Sequence, residues 1–104
     1  TRHLVNAEVL DALGPTATLV NIARGSVVDT AALATALREG RIASAGIDVY
    51  ESEPAPPAEL LDLPNVVITP HIAGRSPEAV QASVTLVLQN LAAFFNGRPM
   101  LTPL

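Results

Sequence analysis

The spacing of apolar segments predicts an α/β fold built on a parallel β-sheet. Two short apolar runs, at residues 18–22 and 43–49, flank a segment whose Leu33 and Leu37 fall on one helical face and whose end is marked by Gly40. A strand, a helix and a second strand at this spacing form a βαβ unit, whose strands pair in parallel through a right-handed crossover. A third run at residues 66–69 and a long amphipathic stretch, opened by Ser76-Pro77 and closed by Gly97, extend the pattern.

The elements follow in order. Asn6 caps a short helix through Leu13, because its side chain can accept a bond from an early helical amide, and Gly14-Pro15 stops it. Residues 18–22 are apolar and partly β-branched without strict alternation, which predicts a strand covered on both faces. Asp29 caps the next helix, from Thr30 to Glu39, and a second strand takes residues 43–49. Residues 51–64 hold four of the chain's nine prolines and read as a long irregular connection with one helical turn near Glu59-Leu60-Leu61. Long loops inside compact domains are often functional. After the third strand, Val80, Val84, Val87, Leu88, Leu91 and Phe95 recur at helical spacing, so the last helix has an apolar stripe that needs a surface to pack on. No internal repeat interrupts this plan.

Composition narrows the function. The 104 residues are 49% hydrophobic but only 3% aromatic, enough for one small domain packed mainly by alanine, leucine and valine. Cysteine is absent, which excludes disulfides and thiolate metal sites. The net charge of −4 and the lack of any Lys/Arg cluster argue against nucleic acid. No apolar run reaches the roughly 18 residues that a membrane span needs, and Thr1-Arg2-His3-Leu4 lacks the apolar block of a secretory signal, so the expected location is the cytoplasm. The start without Met, inside a loop, suggests a piece of a longer protein.

Ligands of open α/β sheets gather outside the carboxyl ends of the strands, and three chemically able side chains follow such ends here. Arg24 ends the first strand beside Gly25, which allows backbone conformations closed to other residues; a planar guanidinium there can hold a carboxylate through two parallel bonds, although an arginine after a strand is usually a solvated charge. His71 follows Thr69-Pro70 and is either a turn histidine bonding a carbonyl or a group that passes a proton to a substrate oxygen. Glu53, taken singly a loop carboxylate in water, would favour the protonated imidazole if it stood beside His71 and would fix which nitrogen faces the substrate. Asp48 is an acid inside an apolar strand and needs a donor, either a cofactor amide or a backbone amide of the adjoining loop. Asp29 and Ser76 are helix caps. The six glycines form neither a G-x-G-x-x-G pattern nor a P-loop, and no histidine pair, acidic cluster or nucleophile elbow suggests a metal or a serine nucleophile.

Leu4-Val5-Asn6, Leu19-Val20-Asn21-Ile22-Ala23-Arg24-Gly25 through Val28-Asp29, Ala45-Gly46-Ile47-Asp48-Val49, Glu53-Pro54, Asn65-Val66-Val67 and Thr69-Pro70-His71-Ile72-Ala73 together resemble the D-isomer-specific 2-hydroxyacid dehydrogenases. The match runs in order over practically the whole chain and includes Asn90-Leu91 and Gly97-Arg98-Pro99. Within that family the chain looks most like the glyoxylate/hydroxypyruvate reductases. The resemblance implies the second half of a Rossmann-like, doubly wound parallel sheet plus a long C-terminal helix, an incomplete domain. Residues 1–75 would be the C-terminal half of an NAD(P)-binding domain, and residues 76–104 a helix and tail that return to the substrate domain.

By the same resemblance Arg24 holds the substrate's carboxylate and carbonyl, His71 is the acid/base and Glu53 tunes it. Asp48 would contact the nicotinamide amide, with Ile22, Ala23, Arg24 and the turn from His71 to Gly74 bordering the ring. The implied reaction moves a hydride between NAD or NADP and a small 2-ketoacid, in a homodimer. The residues that choose between NADH and NADPH, the dinucleotide phosphate grip and most of the substrate pocket lie upstream in such enzymes, so the chain alone is expected to be inactive. Alternatives are a nucleotide-sensing binding protein of the corepressor kind, a free-standing interaction module and an inactive, self-associating fragment.

Overall fold

The computed structural model describes residues 1–103 of the chain. Two compact units divide it, Thr1–Ile72 and Ala73–Leu104.

In the first unit Asn6 accepts from the Val9 amide at 3.1 Å and so caps α1, Ala7–Leu13. Strand β1, Thr18–Asn21, leads through a 3-10 turn at Gly25–Val27 to α2, Thr30–Arg38. Asp29 caps α2 by accepting from the Ala32 amide at 3.0 Å, and Gly40, at φ 67°, takes the chain out of the helix. Strand β2, Ser44–Ile47, the single-turn helix α3, Ala58–Leu61, and β3, Val66–Ile68, complete the unit. All strands are parallel in the order β1-β2-β3, with Asn21 level with Ile47 and Ile47 level with Ile68. The predicted fold class is the observed one. Each strand ends one or two residues before the apolar run does, because Ile22, Asp48 and Thr69 already turn into the edge loops.

One face of the sheet carries the core. Leu19, Ala45, Ile47, Val66 and Ile68 alternate onto it and pack with Leu10 of α1, Leu33 and Leu37 of α2 and Leu60 of α3. The opposite face carries Val20 and Val67, which are 64% and 66% exposed. The expectation of a strand covered on both faces is therefore corrected for β1, whose burial alternates along its length. The helices of this unit suffice for one face only, while the sequence is apolar on both.

The second unit is α4, Pro77–Phe95, with the tail behind it. Ser76 caps it by accepting from the Ala79 amide at 3.1 Å, Pro77 occupies its first turn, and Gly97, at φ 64°, follows its end. Its stripe is unburied: Val84, Leu88 and Phe95 are 50%, 61% and 79% exposed. The tail folds back onto the helix, where Asn90 accepts from the Leu101 amide at 2.8 Å and donates to Thr102 at 2.7 Å. No helix among the described residues is long and apolar enough to cross a membrane.

Candidate active site

Because the strands are parallel and in register, the segments after Asn21, Ile47 and Ile68 leave the sheet along one edge. Asn21 shapes the first of them. It is 5% exposed, donates to the Arg24 carbonyl at 3.0 Å and accepts from the Ala23 amide at 3.1 Å, which folds residues 22–24 into a tight loop. Sequence reasoning did not single out Asn21; a buried amide closing an apolar strand was the available signal. Ile22, Ala23 and Arg24 are exposed on this loop, and the Arg24 guanidinium donates from Nη1 to the Ala23 carbonyl at 2.6 Å. No hydrogen bond joins Arg24 to Glu53 or His71 among the described residues.

Gly25 differs from its expected role. Its backbone is not left-handed; instead a Cβ there would collide with the carbonyl carbon of Tyr50 and the amide nitrogen of Glu51, and would stand 2.6 Å from Tyr50 Cα. Glycine is needed for close approach, which seats the Arg24 turn against the loop after β2.

That loop carries Glu53. Its Oε1 accepts from the Tyr50 amide at 3.0 Å and its Oε2 meets His71 Nδ1 at 2.9 Å. The bond to His71 first, and that to the Tyr50 amide second, hold the Glu53 carboxyl below its ordinary range. With Nδ1 against a carboxylate acceptor, Nδ1 carries a hydrogen and Nε2 is the nitrogen left to face a ligand. The predicted pairing of Glu53 with His71 is thus present in space. Arg2 and His3, read only as part of an opening loop, pin Glu51 at the start of the same loop through contacts of 3.2 Å each. His3 Nδ1 also lies 3.7 Å from Asp29 Oδ2. Contacts spanning 48 residues leave no local signal in a sequence.

His71 is one of two non-glycine residues with positive φ among the described residues, at 54°. Such a conformation costs of order 1–3 kcal/mol and persists where the surroundings impose it. Here Asp48 does so. Its carbonyl accepts from the His71 amide at 2.9 Å, and its carboxylate Oδ1 accepts from the Ile72 amide at 2.9 Å and from the Thr69 hydroxyl at 2.6 Å. Asp48 is 4% exposed, so these donors answer the need of a buried acid. The backbone-amide partner foreseen as one option is present, and the Thr69 hydroxyl is an addition the sequence did not announce. Gly74 falls in the second unit. An apolar cleft of about 330 Å³ opens beside the loop, lined by Tyr50, Pro54, Pro56, Leu61, Ile68, Thr69 and Pro70. None of Arg24, Asp48, Glu53 or His71 lines it, so it is separate from the group with the chemistry.

Residues 1–73 match the family model for the NAD binding domain of D-isomer specific 2-hydroxyacid dehydrogenases. The chain belongs to this family. A hydroxyphenylpyruvate reductase of Plectranthus scutellarioides is 48% identical over 103 residues, which are 99% of this chain and 33% of that protein. A glyoxylate reductase of Thermococcus onnurineus is 55% identical over 97 residues, 93% of this chain and 29% of that one. The crystal structure of an NADPH-dependent glyoxylate/hydroxypyruvate reductase from Sinorhizobium meliloti, in complex with NADP and malonate, superposes with a TM-score of 0.85 at 51% identity over 98% of this chain and 32% of that one. The chain spans about a third of the length of the relatives it matches. As a D-isomer specific 2-hydroxyacid dehydrogenase segment, it corresponds to their C-terminal part and carries the parallel Rossmann-like half-sheet that the sequence predicted.

Proposed function

We propose that this chain supplies the reacting edge of an oxidoreductase that transfers a hydride between NAD(P)H and a small 2-ketoacid of the glyoxylate or hydroxypyruvate type, giving a D-2-hydroxyacid. The observation that carries the reading is the Glu53–His71 pair at 2.9 Å, on the sheet edge that also bears the Arg24 turn. The relatives named for glyoxylate, hydroxypyruvate and hydroxyphenylpyruvate reduction support the substrate class.

The edge fits the nicotinamide end of such a cofactor. Ile22, 66% exposed, offers apolar surface for a ring face, and a carboxylate such as Asp48 is the acceptor that a carboxamide N–H requires. Ala23, Arg24 and His71 line the same edge. The dinucleotide phosphates find no glycine-rich grip in this chain. When bound, the reduced nicotinamide supplies the hydride that the substrate carbon receives. Arg24 binds the substrate carboxylate and steadies its carbonyl oxygen. His71 delivers a proton from Nε2 to that oxygen during reduction and takes one back in the reverse direction. Glu53 holds Nδ1, so the imidazole cannot turn away and Nε2 stays directed at the substrate oxygen. The same reading places the full-length protein in the cytoplasm as a homodimer.

The test is nicotinamide absorbance during incubation of the full-length protein with glyoxylate or hydroxypyruvate. Wild type should oxidise the cofactor, and Arg24→Ala should raise KM and lower kcat together, because Arg24 meets the substrate in both ground and transition states. A wild type without activity on any small 2-ketoacid, or an Arg24→Ala enzyme altered only in cofactor affinity, would overturn the assignment.

A further inference from the structure

We infer that Thr69 is a positioning residue for His71, acting through Asp48: its hydroxyl orients the Asp48 carboxylate that holds the histidine in its left-handed turn. The inference rests on the acid/base role proposed above for His71. The Thr69 hydroxyl donates to Asp48 Oδ1 at 2.6 Å, and the same oxygen accepts from the Ile72 amide at 2.9 Å. His71, at φ 54°, sits between these two anchors, with its own amide on the Asp48 carbonyl at 2.9 Å. Asp48 thus grips the turn on both sides of His71. Rotation about χ2 of a carboxylate is a broad torsion, and the hydroxyl is one of the donors that hold it in the rotamer that reaches Ile72.

The opposite side of the imidazole is fixed independently. Glu53 takes Nδ1 from the loop after β2, whereas Thr69 and Asp48 fix the backbone from which the ring hangs. One support on the ring and one on the backbone together define the direction of Nε2. A hydroxyl at position 69 is needed for this, and a methyl in its place is not equivalent. Thr69 itself is half-buried and touches the reaction only through its neighbours.

The experiment compares Thr69→Val and Thr69→Ser with wild type in the full-length protein. Hydrogen bonds to charged groups are worth about tenfold or more in an equilibrium, so Thr69→Val should speed hydrogen exchange of the Ile72 and His71 amides by about tenfold. It should lower kcat for the 2-ketoacid by about tenfold while KM for the 2-ketoacid stays within about twofold, since a misdirected proton donor harms the transition state alone. Thr69→Ser keeps the hydroxyl and should restore both readouts. If Thr69→Val folds poorly, Thr69→Ala against Thr69→Ser carries the same comparison. Unchanged amide exchange in Thr69→Val, or a Thr69→Ser protein as impaired as Thr69→Val, would overturn the inference. A wild type inactive on ketoacids would instead overturn the acid/base reading, and the exchange measurement would still decide whether Thr69 holds the turn.

Discussion

Gly25→Ala puts the seating of the Arg24 turn to a quantitative test. The added methyl would overlap the Tyr50 carbonyl carbon and the Glu51 amide nitrogen, with Tyr50 Cα at 2.6 Å. Overpacking costs roughly 1–3 kcal/mol where side chains can yield, and here the obstacle is main chain, so ~3 kcal/mol is expected. Against a domain stability of about 5–15 kcal/mol this is a large share. In urea, where small domains lose about 1–3 kcal/mol per molar, the unfolding midpoint should fall by about 1–3 M. Gly46→Ala is the matched control: its Cβ meets only Val20 Cγ2, at 3.8 Å. It should change stability by less than about 1 kcal/mol, since a strand position loses little by gaining a methyl. Circular dichroism during urea titration reads both variants. A Gly25→Ala protein within about 1 kcal/mol of wild type would refute the claim that close backbone contact fixes the Arg24 turn.

Glu53→Gln tests the imidazole support through pH. The carboxyl of Glu53 titrates below its ordinary 4.5 in the folded protein, so its contribution is fully present above that value and disappears as the pH falls through the folded pKa. Wild type should therefore be more stable than Glu53→Gln at pH 7, with the difference closing in acid; a gap that widens below pH 4.5 would contradict the sign. Asn21→Ala removes both side-chain bonds of the 22–24 loop and should cost about 1–3 kcal/mol in urea unfolding, with a raised substrate KM in the full-length protein. An unaffected KM would show that the loop keeps its shape without Asn21.

The parts of this structure legible in the sequence were those written locally. Asn6, Asp29 and Ser76 each cap the helix that follows them within three residues, and the βαβ spacing gave the parallel order. The edge position of Arg24, Glu53 and His71 followed from where the strands end. What stayed hidden depends on contacts between distant residues or on space. Nothing near position 25 indicates that Tyr50 will press against it, and the Thr69–Asp48 bond joins residues 21 apart. The exposure of Val20 on β1 departs from expectation because composition reports that a strand is apolar, whereas burial depends on which elements are present to cover it. The left-handed turn at His71 was likewise unannounced, since histidine tolerates that conformation better than most residues but adopts it uncommonly, and here contacts from Asp48 hold it.

The central claim is that His71 passes the proton to the substrate oxygen. Steady-state reduction of hydroxypyruvate or glyoxylate by the full-length protein with His71→Ala measures it, because general acid–base catalysis contributes about 10²–10⁴-fold. The predicted result is a kcat lower by that factor with the fold intact by circular dichroism. Turnover close to wild type would contradict it.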